Sequence, residues 1–130
     1  MIEIKDNNVY RVLKPELFIH DTKLLDKHQL WRNTAVTPNL ICFRKDFHSY
    51  DSNGFDHGND VWFGFNPEEN TLRLSCSSTC GMCGFVFSEE FVFSEEDLKK
   101  EHNDLDRQCM EFTINLVKEM IEKGVIKDNV

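Results

Sequence analysis

The sequence predicts an α+β domain, an antiparallel β-sheet of four or more strands packed by a long C-terminal helix and a shorter N-terminal helical region. Three observations lead there. Four short runs between residues 40 and 87 alternate apolar with polar residues and are separated by turn formers. From Leu98 onward the apolar period lengthens to three or four residues, the spacing of a helix. The chain has 130 residues, 40% of them hydrophobic and 11 of them Phe, which suits one core, so residues 1–130 are expected to form a single domain that needs neither disulfide nor metal to fold.

Taken in order, Ile2 and Ile4 alternate with polar neighbours, Asp6, Asn7 and Asn8 signal a turn, and Val9 resumes an extended run as far as Leu13, so residues 1–14 predict a strand or hairpin. Pro15 fits the first turn of a helix. Leu17, Phe18, Leu24, Leu25, His28 and Trp31 follow at helical spacing, with Asp21 and Thr22 as a second start that would divide the region into two short helices. Residues 33–39 predict a loop. Residues 40–47 predict a strand with Leu40, Cys42 and Arg44 on one face. Residues 48–59, with two Gly, two Asn and two His, read as a polar loop.

An aromatic-rich strand is expected over residues 60–65, a turn at Asn66-Pro67-Glu68-Glu69-Asn70, and a strand over 71–76 with Leu72, Leu74 and Cys76 on one face. Cys83, Phe85 and Phe87 then alternate along a returning strand, and the short links allow an antiparallel meander. The run Phe-Val-Phe-Ser-Glu-Glu that begins at Phe85 recurs at Phe91, a duplication too short for a repeat fold. Ser94 is a natural N-cap with Asp97 three positions on, and Glu95 and Glu96 add negative charge at the positive end of the helix dipole. Leu98, Leu105, Cys109, Phe112, Leu116, Met120 and Ile121 make one apolar stripe ending at Gly124, so a single helix is expected to cover the sheet.

Charge is unevenly placed. The chain carries a formal charge of -8, yet residues 46–98 alone hold 11 acids against one base, Arg73, a balance of -10. The same stretch holds Phe47, Tyr50, Phe55, Trp62, Phe63 and Phe65. This joins a focused negative field to aromatic anchors. It argues against nucleic-acid binding, which requires the opposite sign; the plainer alternative is a solubilising surface. No apolar run approaches the ~18 residues of a membrane span, and the N-terminal residues lack the pattern of a secretory signal, so a cytoplasmic protein is expected.

Cys76, Cys80 and Cys83 have the spacing C-x3-C-x2-C. It resembles the iron–sulfur site of radical S-adenosylmethionine enzymes in spacing alone, without their barrel domain. A structural zinc site is the stronger alternative, with Cys42, Cys109 or His57 completing four ligands, but no second C-x2-C or His pair is present. A thioredoxin-type pair at Cys80 and Cys83 would need a helix after the first thiol, where a strand is expected instead. The remaining possibility is that Cys76 and Cys83 are small core residues. Residues 51–57 loosely resemble a calcium loop but place Gly54 too early and lack the closing Glu. His57 between Asp56 and Asp60 has the makings of a general base, with no nucleophile, oxyanion device or phosphate loop to accompany it. No metal, no cofactor and no enzymatic activity are therefore expected.

In size, acidity and element order the chain resembles bacterial immunity proteins that neutralise cationic nuclease toxins, including those of contact-dependent growth inhibition systems. The resemblance implies a small acidic cytosolic protein whose partner is a basic protein, a nuclease toxin domain, with no nucleic acid or membrane involved. Phage anti-defence inhibitors share the profile, and a zinc-stabilised domain built on Cys76, Cys80 and Cys83 is the alternative of a different class. The expected partner-binding residues are Trp62 of the aromatic strand and, placed in loops that flank it, Asp51, Asp56, Asp60, Glu68 and Glu69.

Overall fold

The computed structural model describes residues 2–5, 8–33, 40–50, 52–54, 56–78, 92–101 and 104–128, and the backbone alone at 33, 49, 56, 57, 76–78, 92, 93 and 128. In chain order the elements are β1 (Glu3–Lys5), β2 (Val9–Val12), α1 (Glu16–Ile19), α2 (Lys23–Lys27), β3 (Trp31–Asn33), β4 (Ile41–Tyr50), β5 (Asp56–Asn66), β6 (Thr71–Ser78), β7 (Val92–Ser94), a 3-10 helix (Glu95–Lys99), α3 (Asp104–Glu122) and β8 (Ile126–Asp128). The fold is α+β. Six strands form one antiparallel sheet in the order β3-β4-β5-β6-β2-β8, and β1 pairs separately with β7.

Alternation along the long strands sorts their side chains onto two faces. On the inner face, Phe43, Phe63 and Leu74 form one cross-strand row, and Ile41, Phe65, Leu72 and Tyr10 form the next. Phe18 of α1 stacks on Phe65 with ring centres 5.2 Å apart and tilts against Phe43 at 6.0 Å. Helix α3 adds Cys109, Met110, Ile114, Leu116, Val117 and Met120, all buried. Each large apolar side chain so covered contributes about 1.5–3 kcal/mol. Asn59, fully buried on the same face, donates from Nδ2 to Asp106 Oδ1 of α3 at 3.0 Å, so a polar group in the core has its partner.

Several expectations are corrected. Residues 3–5 and 9–12 are strands as expected, but they do not pair with each other as a hairpin would: β1 pairs with β7, while β2 lies between β6 and β8. Trp31 is in a strand rather than a helix, because α2 ends at a left-handed Gln29 (φ 61°). Gln29 N–H donates to Asp26 O at 3.0 Å and Leu30 N–H to Leu25 O at 3.1 Å, the paired bonds of a Schellman cap. Residues 48–59 are mostly strand, since β4 and β5 pair as far as Tyr50 with Asp56.

The C-terminal helical region is two elements. Ser94 and Asp97 do form a capping box, with Ser94 N–H donating to Asp97 Oδ2 at 2.7 Å, but on the 3-10 helix. Its last carbonyls accept from α3: Arg107 donates to Leu98 O at 2.8 Å and to Lys100 O at 3.0 Å, and Lys100 is extended. Gly124 (φ 68°) closes α3, with Val125 N–H on Met120 O at 2.8 Å and Gly124 N–H on Ile121 O at 3.1 Å. The chain then re-enters the sheet as β8. The expected returning strand at residues 83–87 lies outside the described residues.

Candidate functional site: the outer face of the sheet

The described core contacts of the helices fall on the inner face. On the other face, β3, β4, β5 and β6 align Trp31, Arg44, Trp62 and Ser75 in one row. Arg44 is the centre of this row. Its guanidinium carbon sits 4.6 Å from the centre of the Trp62 indole and 5.4 Å from that of Trp31. Nε donates to Asp46 Oδ1, and Nη2 donates to Asp60 Oδ2 at 3.2 Å. One planar cation therefore bridges two indoles and two carboxylates, which suits a guanidinium and not an ammonium group.

The next row pairs Asp46 directly with Asp60. Only 6% of Asp60 is exposed, and its Oδ1 is buried without a hydrogen-bond partner among the described residues. Burial, and then the neighbouring Asp46, push the Asp60 carboxyl above the ordinary carboxylate range. Burial works against charge on Asp46 as well, but contact with Asp60 and the Arg44 ion pair hold that carboxyl below its usual range. His48 follows two positions along β4 on the same face. A cavity of about 490 Å³ opens on the other side of Trp62, lined by Cys42, Gly64, Asn66, Glu69 and Arg73 among others.

The sequence-expected site residues separate. Glu68 and Glu69 are exposed in the β5–β6 turn, where Asn66 Oδ1 accepts from both of their backbone N–H groups at 3.0 and 3.2 Å. Glu69 rims the same cavity as Trp62. Trp62 is half-buried beneath Arg44. Asp60 is not in a loop: it lies within β5, covered and engaged by Arg44, because the hairpin extends well beyond it. Asp56 begins β5, with its backbone alone described, and Asp51 lies outside the described residues.

Sequence reasoning put Arg44 on this face without giving it a role, and it missed Trp31, Asp46 and His48 as members of one cluster. The signal was present. Continuing the alternation of Cys42 and Arg44 through residue 48 adds Asp46 and His48 to the same side.

For the cysteines, Cys42 and Cys109 are free and buried. They lie on different sides of the sheet, Cys42 at the outer cavity and Cys109 in the core beneath α3. Burial pushes the Cys42 thiol up. Cys80 and Cys83 lie outside the described residues, as do the side chains of Cys76 and His57.

No family model, curated protein or solved structure matches this chain. Among the described residues, no helix is long and apolar enough to cross a membrane.

Proposed function

We propose that the protein is a small acidic cytoplasmic binding protein that neutralises a basic protein partner, and that within this class it is an immunity protein blocking a cationic nuclease toxin. The supporting observation is the side chains that the sheet leaves accessible within the most acidic part of the chain, residues 46–98, and on the strand beside it. Trp31 is 45% exposed and Tyr50 73% exposed, and the carboxylates of Glu68 and Glu69 stand at the β5–β6 turn. Exposed aromatics supply a centre that can be desolvated on contact, and the carboxylates steer a cationic surface towards it. Asp46 and Asp60 have a different part. Arg44 already holds them, so they fix the two Trp side chains rather than pair with the partner.

The test is co-expression with basic nuclease toxins encoded beside the gene, followed by affinity measurement at two salt concentrations. Protection from one such toxin, with affinity falling as salt rises, is the expected result. Protection from none, or a contact that maps to residues 1–45 and ignores salt, overturns the reading.

A further inference from the structure

Asp46 and Asp60 are direct partners across β4 and β5, and one guanidinium serves both. Arg44 takes an oxygen of each carboxylate and supplies a single positive charge against two negative ones. Among the described residues, Asp60 Oδ1 is left buried without a hydrogen-bond partner, on a side chain only 8% exposed. A carboxylate oxygen in that position is costly unless a proton or a second cation meets it. The side chain of His48 reaches the same pair of carboxylates. One donor atom from each of Asp46, His48 and Asp60 lies within 4.8 Å of the other two.

We propose that Asp46, His48 and Asp60 bind a divalent metal cation on the outer face of the sheet. Two carboxylate oxygens and an imidazole nitrogen, with no thiolate, suit a hard-to-borderline ion such as Mn2+ rather than a soft one. Donors approach such ions to about 2.0–2.2 Å, so a small closing rotation of the three side chains completes the set. The three sit on rigid neighbouring strands, two of them in direct register, which fixes their spacing. Arg44 is then a positioning residue that holds one oxygen of each carboxylate and leaves the other to the ion. The exposed side of His48 is the route of entry. Three protein donors leave further coordination positions to water. Its three named donors come from β4 and β5 and not from the Cys76, Cys80 and Cys83 segment.

Mn2+ is the probe, because thiolates compete for it poorly. The full chain is titrated with Mn2+, free ion is followed by electron paramagnetic resonance, and thermal unfolding is recorded alongside. The expected result is one saturable equivalent that raises Tm. His48→Gln and Asp60→Asn should each weaken binding at least tenfold, while Cys80→Ser leaves it unchanged. His48→Gln alters an exposed side chain and keeps the test valid if Asp60→Asn fails to fold. Absence of saturable binding overturns the proposal, as does binding that His48→Gln leaves unchanged.

Discussion

Arg44 donates to Asp60 across the β4–β5 pair, Nη2 to Oδ2 at 3.2 Å, and the same guanidinium lies over Trp62. A nearly covered carboxylate is thus held by one cation that also carries the aromatic row. Arg44→Met should destabilise the fold by about 2–4 kcal/mol, somewhat below the cost of breaking a fully buried pair because Arg44 retains contact with water. Asp60→Asn in the Arg44→Met background should recover much of that loss, since the uncompensated charge is then gone. Urea denaturation of the two single variants and the double variant measures the coupling. Additive losses would mean that the pair contributes no energy of its own.

Helix α3 sets the second expectation, a ranking. Ile114 is 1% exposed, while Phe112 is only partly buried and packs edge-on to Phe47 at 5.5 Å and to His28 at 6.2 Å. Ile114→Ala should therefore cost about 2–5 kcal/mol and Phe112→Ala less, despite the larger side chain removed. Equal or reversed costs in urea denaturation would show that the Phe112 edge is a larger part of the core than its exposure indicates. Removing the chain from Ser94 onward should abolish cooperative unfolding, because it takes away α3, β8 and part of β7 together.

What the sequence disclosed follows from where its signals are strong. The stripe of α3 is legible because burial on one face demands apolar residues at helical spacing, and Leu105, Cys109, Leu116 and Met120 are all buried. Gly124 is legible because a left-handed cap favours glycine. The end of α2 is not, because Gln29 adopts the same conformation without the usual residue. The far halves of β4 and β5 were hidden by their polar residues. Asn59 looks like a loop residue until its bond to Asp106 is known, and Asp46 and Asp60 until Arg44 is seen between them. Register is the missing quantity: local pattern says which residues alternate, but only strand pairing brings together groups 14 positions apart.

Glu119 gives the acid limb of stability a specific source. Bonds from Lys123 at 2.8 Å, Lys27 at 2.7 Å and His28 lower its carboxyl from an ordinary value near 4.5 to about 2. A depressed carboxylate stabilises the fold fully above its unfolded value, and the contribution is lost as pH falls from about 4.5 through about 2. Lys27 and Lys123 are more than half exposed, so the effect is modest. Glu119→Gln should be less stable than the parent at neutral pH and converge with it as the acid limb is descended. A gap between the two urea midpoints that stays constant over that range would assign the loss to packing instead of charge.

The β5–β6 turn offers the cleanest test of electrostatic association. Asn66 fixes this turn through the backbone N–H groups of Glu68 and Glu69, and both residues are exposed. Charge can therefore be reversed there without disturbing the turn itself, at a stability cost within about 0.5 kcal/mol. If the acidic side steers a basic partner, Glu68→Lys should slow association several-fold at low salt and flatten its salt dependence, with dissociation little changed. Glu68→Lys combined with Glu69→Lys should go further in the same direction. Trp31→Ala should act the other way, speeding dissociation while leaving the salt dependence of association intact, because an aromatic contact is made only after encounter. Stopped-flow mixing with a protected toxin at two ionic strengths separates the two effects. Should the charge reversals leave the association rate untouched, the carboxylates of this turn serve solubility and the contact lies elsewhere on the chain.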